Sequence, residues 1–285
     1  MLGSPLVTER YSPTVRRRRL SEALKSRRLQ ARMTLDDAAK ATEISRTTIN
    51  NIETGEKKKP KVIEVKALLD AYGSHGERER EEILTLCRQS QQTGWWSRYT
   101  DVLKGDYIGF EAEASVISNW EPLVVPGLLQ TPEYTELLAK TALMRDPKDI
   151  QRTVDARIER QKILKENPPE LWAVFDEGAL LRLKDWPEIQ RRQVEHLIHM
   201  AEHPGATTLQ MTMSSRLNPG SAGAFVLMDF PSNVDPSFVY LETDTDGIYL
   251  EDHEEVARYR HLFGHIRIAA LTPQETVMRL REMIT

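Results

Sequence analysis

Between Val15 and Tyr72 the apolar positions recur at helical spacing, in short runs broken by turn residues. From Val15 to about Ala31 they are sparse, with Leu20, Ala23, Leu24 and Leu29 set among many Arg and Lys. That pattern predicts a helix with one narrow buried stripe. A second short helix starts at Thr34, whose hydroxyl can cap the amide three residues on while Asp37 reaches back. Ser45 is the next N-cap, opening a helix that runs to about Glu53 and is ended by Gly55. Lys57-Lys58-Lys59-Pro60 forms a basic loop, and a fourth helix follows through Val62, Val65, Leu68, Leu69 and Tyr72. Gly73-Ser74-His75-Gly76 closes this first unit.

Farther along the chain the pattern changes. Residues 77–93 are charged and then polar, and read as a connecting helix. Thr131-Pro132 and Thr272-Pro273 are helix starts with Pro at the first helical position. Between them lie strand-like runs at Leu171–Phe175, Thr207–Met213, Ala224–Phe230 and Phe238–Glu242, and Ile248–Leu250 follows the turn signal Asp246-Gly247. Helices are expected at about 149–166, 187–203 and 251–270. These elements predict a larger α+β domain with a mainly antiparallel sheet, preceded by an all-α domain. The expected boundaries are a flexible arm over 1–12, a helical domain over 13–76, a linker helix over 77–93 and the α+β domain over 94–285.

The segment Leu35–Thr54, LDDAAKATEISRTTINNIET, has the spacing of two helices crossing through a tight turn. Ala39 is small where the helices must approach. Ala38, Ile44, Ile49 and Ile52 point into a shared core. The second helix is left with an outward face of Arg46, Thr47, Asn50 and Asn51, side chains that hydrogen-bond base edges. The first unit is therefore read as a helix-turn-helix domain bound to double-stranded DNA. Arg17, Arg18, Thr34, Ser45, Thr48, Lys57, Lys58 and Lys59 are the candidate phosphate contacts.

Charge sharpens that reading. The net charge of −4 conceals a head, residues 1–61, with 15 Lys and Arg against 7 Asp and Glu, a net +8; the remainder carries −12. A basic head on an acidic body suits a polyanion partner for the head alone. The single cysteine, Cys87, suits a reducing compartment, and no charge-free apolar run of membrane-spanning length is present. A cytoplasmic protein without a membrane partner is expected.

The first unit resembles the phage-repressor-like, XRE-type helix-turn-helix regulators. The match rests on Arg28, Met33-Thr34, Ala39, Ile44-Ser45, Ile49 and the Ile52-Glu53-x-Gly55 tail. The resemblance implies an Arg28–Glu53 ion pair locking the first helix onto the recognition helix. Glu43 departs from the family, standing where Gly is usual in a left-handed turn, at a cost of about 1 kcal/mol. The region from about 90 to 285 resembles an actinobacterial regulator domain described as WhiJ-like or antitoxin-like. Trp95-Trp96, Tyr99, Tyr107, Glu111, Pro126-Gly-Leu-Leu-Gln-Thr131 with Tyr134, Asp176-Glu-Gly-Ala-Leu180, Gly223-Ala-Phe225 and Tyr240-Leu-Glu-Thr243 carry it. It implies a signal-receiving role, with a small cognate protein as the signal.

Trp95, Trp96, Tyr99, Tyr107, Phe110 and Trp120 gather the aromatic residues near the start of the second domain. They are read either as core or, for Trp95, Trp96, Tyr99 and Tyr107, as a partner or ligand surface. His196, His199 and His203 share one helix side, and His261 and His265 repeat the spacing, but both sets are read as ordinary surface. Glu242–Gly247 imitates the start of a calcium loop but has His253 where the closing Glu belongs, so a hairpin turn is expected. Ser221 lacks the strand-turn-helix setting of a nucleophile elbow. No metal, cofactor or catalytic centre is expected. The functional expectation is a homodimeric, sequence-specific transcriptional regulator; the alternatives are an antitoxin-like module sequestering a small protein and a metabolite-sensing regulator.

Overall fold

The computed structural model describes residues 12–74, 76–92, 94–99, 101–102, 106–142, 144–165, 167–202, 207–231, 236–243 and 247–285. The chain divides into two compact units, 1–97 and 98–285. The expected 1–12 arm lies outside the described residues except for Ser12.

The first unit contains α1 (Pro13–Gln30), α2 (Leu35–Thr42), α3 (Arg46–Glu53), α4 (Val62–Ala71) and α5 (Glu77–Ser90). Its starts are set by side chains. Thr34 accepts from the Asp37 amide at 3.1 Å while Asp37 accepts from the Thr34 amide at 3.0 Å, and Ser45 accepts from the Thr48 amide at 3.2 Å. Leu20, Leu24, Ala38, Ile49, Ile52, Val65, Leu68 and Leu69 form its core. Ile83, Leu84 and Cys87 join that same core, so α5 is an integral helix of the unit and not the connector its charge suggested. The charged positions of α5 mask a short apolar stripe facing α1 and α4.

Glu43 ends α2 at φ 59°, in the left-handed region. A Glu43→Gly replacement is expected to raise stability by about 1 kcal/mol by relieving the Cβ clash. Thermal melts of Glu43→Gly against Glu43→Ala check this; a glycine variant no more stable than the alanine one would remove the strain argument. Gly55, at φ 77°, ends α3 where the chain turns away beneath the Ser21 hydroxyl.

The second unit contains α6 (Tyr107–Glu113), β1 (Val116–Glu121), α7 (Pro132–Thr141), α8 (Pro147–Gln161), β2 (Glu170–Asp176) and α9 (Gly178–Leu181). It continues through α10 (Pro187–Glu202), β3 (Thr207–Thr212), β4 (Phe225–Asp229), β5 (Phe238–Glu242), β6 (Gly247–Leu250), α11 (His253–Ala269) and α12 (Pro273–Glu282). The sheet order is β3-β2-β1-β4-β5-β6. β1, β2 and β3 pair in parallel, and the β1–β4, β4–β5 and β5–β6 pairings are antiparallel, so the sheet is α+β and mostly antiparallel. Helical crossovers carry the chain between the parallel strands, as such strands require.

β1 was not among the expected strands, yet it lies at the centre of the sheet. Its two sides differ in kind. Trp120 packs with Val174, Phe225, Leu227 and Val239 against Val256, Phe263 and Ile266 of α11. Ile117, Asn119 and Glu121 face the other way. The Trp120 indole donates to the Gly220 carbonyl at 2.8 Å, and a Cβ at Gly220 would stand 2.5 Å from the ring, so glycine is needed there. The Pro126–Thr131 segment is a buried turn. Gln130 donates to the Val125 carbonyl, and Gln193 bridges the Leu129 carbonyl and the Thr131 amide. The boundary between units falls at 97/98 instead of 94, which leaves Trp95 and Trp96 in the first unit.

Candidate nucleic-acid interface

α3 is an eight-residue helix with Ile49, Ile52 and Glu53 turned inward. Arg46 and Thr47 are exposed, and Asn50 and Asn51 are half-buried. Two of these four side chains already have contacts. Arg46 Nε stands 3.6 Å from an Asp36 carboxylate oxygen, with both side chains well exposed, a pairing weak enough to give way to a base or phosphate. The Asn51 amide, oriented to donate, lies 3.1 Å from both the Thr47 carbonyl and a Glu56 carboxylate oxygen, within its own helix end. Arg46, Thr47 and Asn50 therefore form the more available part of the outward face.

The candidate phosphate contacts separate in the same way. Thr34 and Ser45 are exposed at the N-termini of α2 and α3, where amides and helix dipoles favour an anion. Thr48 shares its hydroxyl with Ser45 at 2.9 Å. Hydrogen bonds from Thr34 hold the Asp37 carboxyl below its usual range, so this cap stays charged near neutral pH. Lys58 and Lys59 are exposed. Lys57 instead reaches Glu64 at 2.8 Å and tethers the loop to α4. Arg17 is buried, and Arg18 pairs with Glu22 one turn on at 3.5 Å.

Behind this face sits a buried ionic group. Arg28 Nε donates to both Glu53 oxygens at 3.1 and 2.9 Å, Nη2 lies 2.9 Å from Oε2, and Nη1 donates to the Met33 carbonyl at 2.9 Å. Tyr72 supplies a third member that the apolar pattern marks only as core; its hydroxyl donates to Glu53 Oε1 at 2.8 Å. Burial and the Glu53 charge push the phenol far above its ordinary value, so it remains a donor. Every oxygen of Glu53 is thus satisfied, and α3 is tied to α1 and α4.

The aromatic residues near residue 100 straddle the boundary between the two units. Trp95 and Trp96 meet edge to face at 5.9 Å in the first unit, whereas Tyr99, in the second, lies under Arg152 at 5.5 Å. Tyr107, Phe110 and Trp120 are buried.

His196 is half-buried, and burial followed by the His199 charge lowers its pKa; His203 lies outside the described residues. The His261 and His265 Nε2 atoms lie 2.9 Å apart, within hydrogen-bond distance. Among the described residues no group of three His, Cys, Asp or Glu side chains could hold a metal ion. Asp244 and Asp246 lie outside the described residues; Glu242 and Gly247 pair as the last rung of the β5–β6 ladder.

Residues 105–282 match a domain of unknown function, DUF5753. The chain belongs to the DUF5753 family. Its N-terminal unit matches a helix-turn-helix domain over residues 19–83, a span that includes α2, α3 and about half of α5. This DUF5753 protein thus carries a helix-turn-helix DNA-binding domain ahead of the family domain. No curated protein and no solved structure matches the chain. No helix among the described residues is long and apolar enough to cross a membrane.

Proposed function

We propose that this DUF5753 protein is a sequence-specific transcriptional regulator in which α3 enters the major groove and reads bases through Arg46, Thr47 and Asn50. The observation that carries the reading is the outward polar face of α3, capped by Ser45 and backed by the buried Arg28–Glu53–Tyr72 group, inside a helix-turn-helix match. Lys58, Lys59 and the α2 and α3 N-termini supply sequence-independent attraction to phosphates. The protein acts as a homodimer on paired half-sites, and the reading is of a binding protein, not of an enzyme. The larger unit receives the signal. A small cognate protein, the source implied by resemblance, is one candidate; a partly open, polar-lined cavity in that unit favours a small molecule instead.

The test is a binding selection for the preferred duplex, followed by titrations of variants. Arg46→Ala and Asn50→Ala are each expected to weaken specific binding by about 1–3 kcal/mol and to leave nonspecific binding unchanged. Lys58→Ala and Lys59→Ala should weaken all duplexes alike and lower the salt slope by about 0.9 for each phosphate no longer neutralised. Unchanged operator affinity in both α3 variants would remove α3 as the reader.

A further inference from the structure

One cavity in the second unit, of about 380 Å³, falls within the size range of small-molecule sites. Its walls come from α6, β1, the turn at Gly127, α8 and the β4–β6 ladder. Arg160 is committed along one edge of its guanidinium. Its Nε and Nη2 hold the two Glu111 oxygens at 2.6 and 2.7 Å, and the Tyr107 hydroxyl adds a 3.0 Å hydrogen bond to the same carboxylate. Glu111 is 1% exposed, so this pair forms a closed, neutral unit.

Arg157 lies one turn earlier on α8 and also lines the cavity. Its guanidinium makes no hydrogen bond or ion pair among the described residues. A Cβ at Gly127 would stand 2.3 Å from its Nη1, so glycine in the Pro126–Thr131 turn makes the room this guanidinium occupies. Arg157 is half-buried, and burial with the like charge of Arg160 pushes it down to about 10, which leaves it a cation near neutral pH. The Glu242 and Glu111 charges attract it, but neither carboxylate bonds to it. Glu111 is spent on Arg160, Glu242 is exposed at the rim, and burial together with Glu242 holds Glu121 up at about 7. A guanidinium lining a cavity with its donors unused can bind a ligand there, and a carboxylate is the partner that matches it best. Beside it the wall turns apolar, with Tyr240 and Tyr249 packed at 5.1 Å and Ile117, Leu128 and Val226 nearby.

We propose that this cavity binds a small organic acid, with the carboxylate held by Arg157 and the apolar body lodged against Tyr240, Tyr249 and Ile117. Asn119 and Glu121 offer hydrogen bonds to a hydroxyl or amide on the same molecule. The proposal deepens the reading of the larger unit as a signal receiver and rests on that reading for any consequence at DNA.

The test is isothermal titration of the intact protein with four acids, benzoate, 2-naphthoate, indole-3-acetate and decanoate, beside the neutral 2-naphthamide and the cationic 2-naphthylmethylamine. At least one acid is expected to bind, and 2-naphthoate to bind about tenfold or more tightly than its amide, as loss of a charge-assisted hydrogen bond implies. Arg157→Gln should bring the acid down to the level of the amide, and Arg157→Lys should restore part of the difference. The comparison of acid, amide and amine on the unaltered protein stands even if Arg157→Gln folds poorly. No binding by any of the acids, equal binding of amide or amine, or undiminished acid binding in a folded Arg157→Gln protein would each overturn the site. Operator affinity measured in the same samples separates the two claims. An acid that binds without changing it leaves the site standing and removes its role as the signal.

Discussion

Glu53→Ala is expected to destabilise the helix-turn-helix unit by about 3–5 kcal/mol, because it strands a buried cation. Glu53 is 6% exposed and accepts hydrogen bonds from Arg28 and Tyr72. Truncation would leave the Arg28 guanidinium with only the Met33 carbonyl and the Tyr72 hydroxyl with no acceptor. The pair's existence is not itself the source of stability, since two ions taken out of water recover little beyond their desolvation cost. A double replacement, Arg28→Met with Glu53→Leu, should therefore cost far less than Glu53→Ala alone. Urea unfolding, with hydrogen exchange of α1 and α3 peptides reporting on this unit, measures both. A Glu53→Ala loss below about 1 kcal/mol, or a double variant as unstable as the single, would show that the ionic group does not hold α3 in place.

Such a group is open to the sequence because most of it is local. Two short helices, their caps and the outward Arg46, Thr47 and Asn50 follow from spacing within twenty residues, and the Arg28–Glu53 pair comes with the resemblance. Tyr72 belongs to the apolar stripe of α4, as its spacing predicts, but its hydroxyl partner cannot be read from a stripe. The larger unit is legible in every strand but β1 and in its long helices, where Leu171–Phe175 and Phe238–Glu242 are apolar runs. β1 escapes notice because Val-Ile-Ser-Asn-Trp-Glu has polar residues where a buried strand should be apolar. Asn119 and Glu121 are polar because their side of the sheet lines the cavity. The same cause hides the cavity's charges. Arg157 and Arg160 sit in Asp-Ala-Arg-Ile-Glu-Arg-Gln, which reads as solvated helix surface until the fold brings α6 and β1 against it. Local propensity misleads where the fold lines a cavity instead of filling a core.

Glu121→Gln carries the second large expected effect, and its sign follows from where the carboxyl sits. Burial first, and then the Glu242 charge, raise Glu121 from 4.5 to about 7, while Asn119, Arg160 and Arg157 oppose that rise only in part. An acid whose folded pKa exceeds its unfolded value favours the folded state only while it keeps its proton. Below about pH 4.5 both states are protonated and the group has no effect. Between about 4.5 and 7 the unfolded state ionises first, and the protein loses stability steadily as pH rises; above 7 the loss is complete, at most about 3 kcal/mol. Glutamine keeps the shape and removes the ionisation, so Glu121→Gln should match the unaltered protein at about pH 4.5 and exceed it at about pH 8. Urea unfolding at the two pH values, followed through hydrogen exchange of β1 peptides, reads the difference directly. If the two proteins differ equally at both pH values, Glu121 does not titrate in the cavity with a raised pKa. If the variant is less stable at the higher pH, the carboxylate is held there by an attraction stronger than its desolvation.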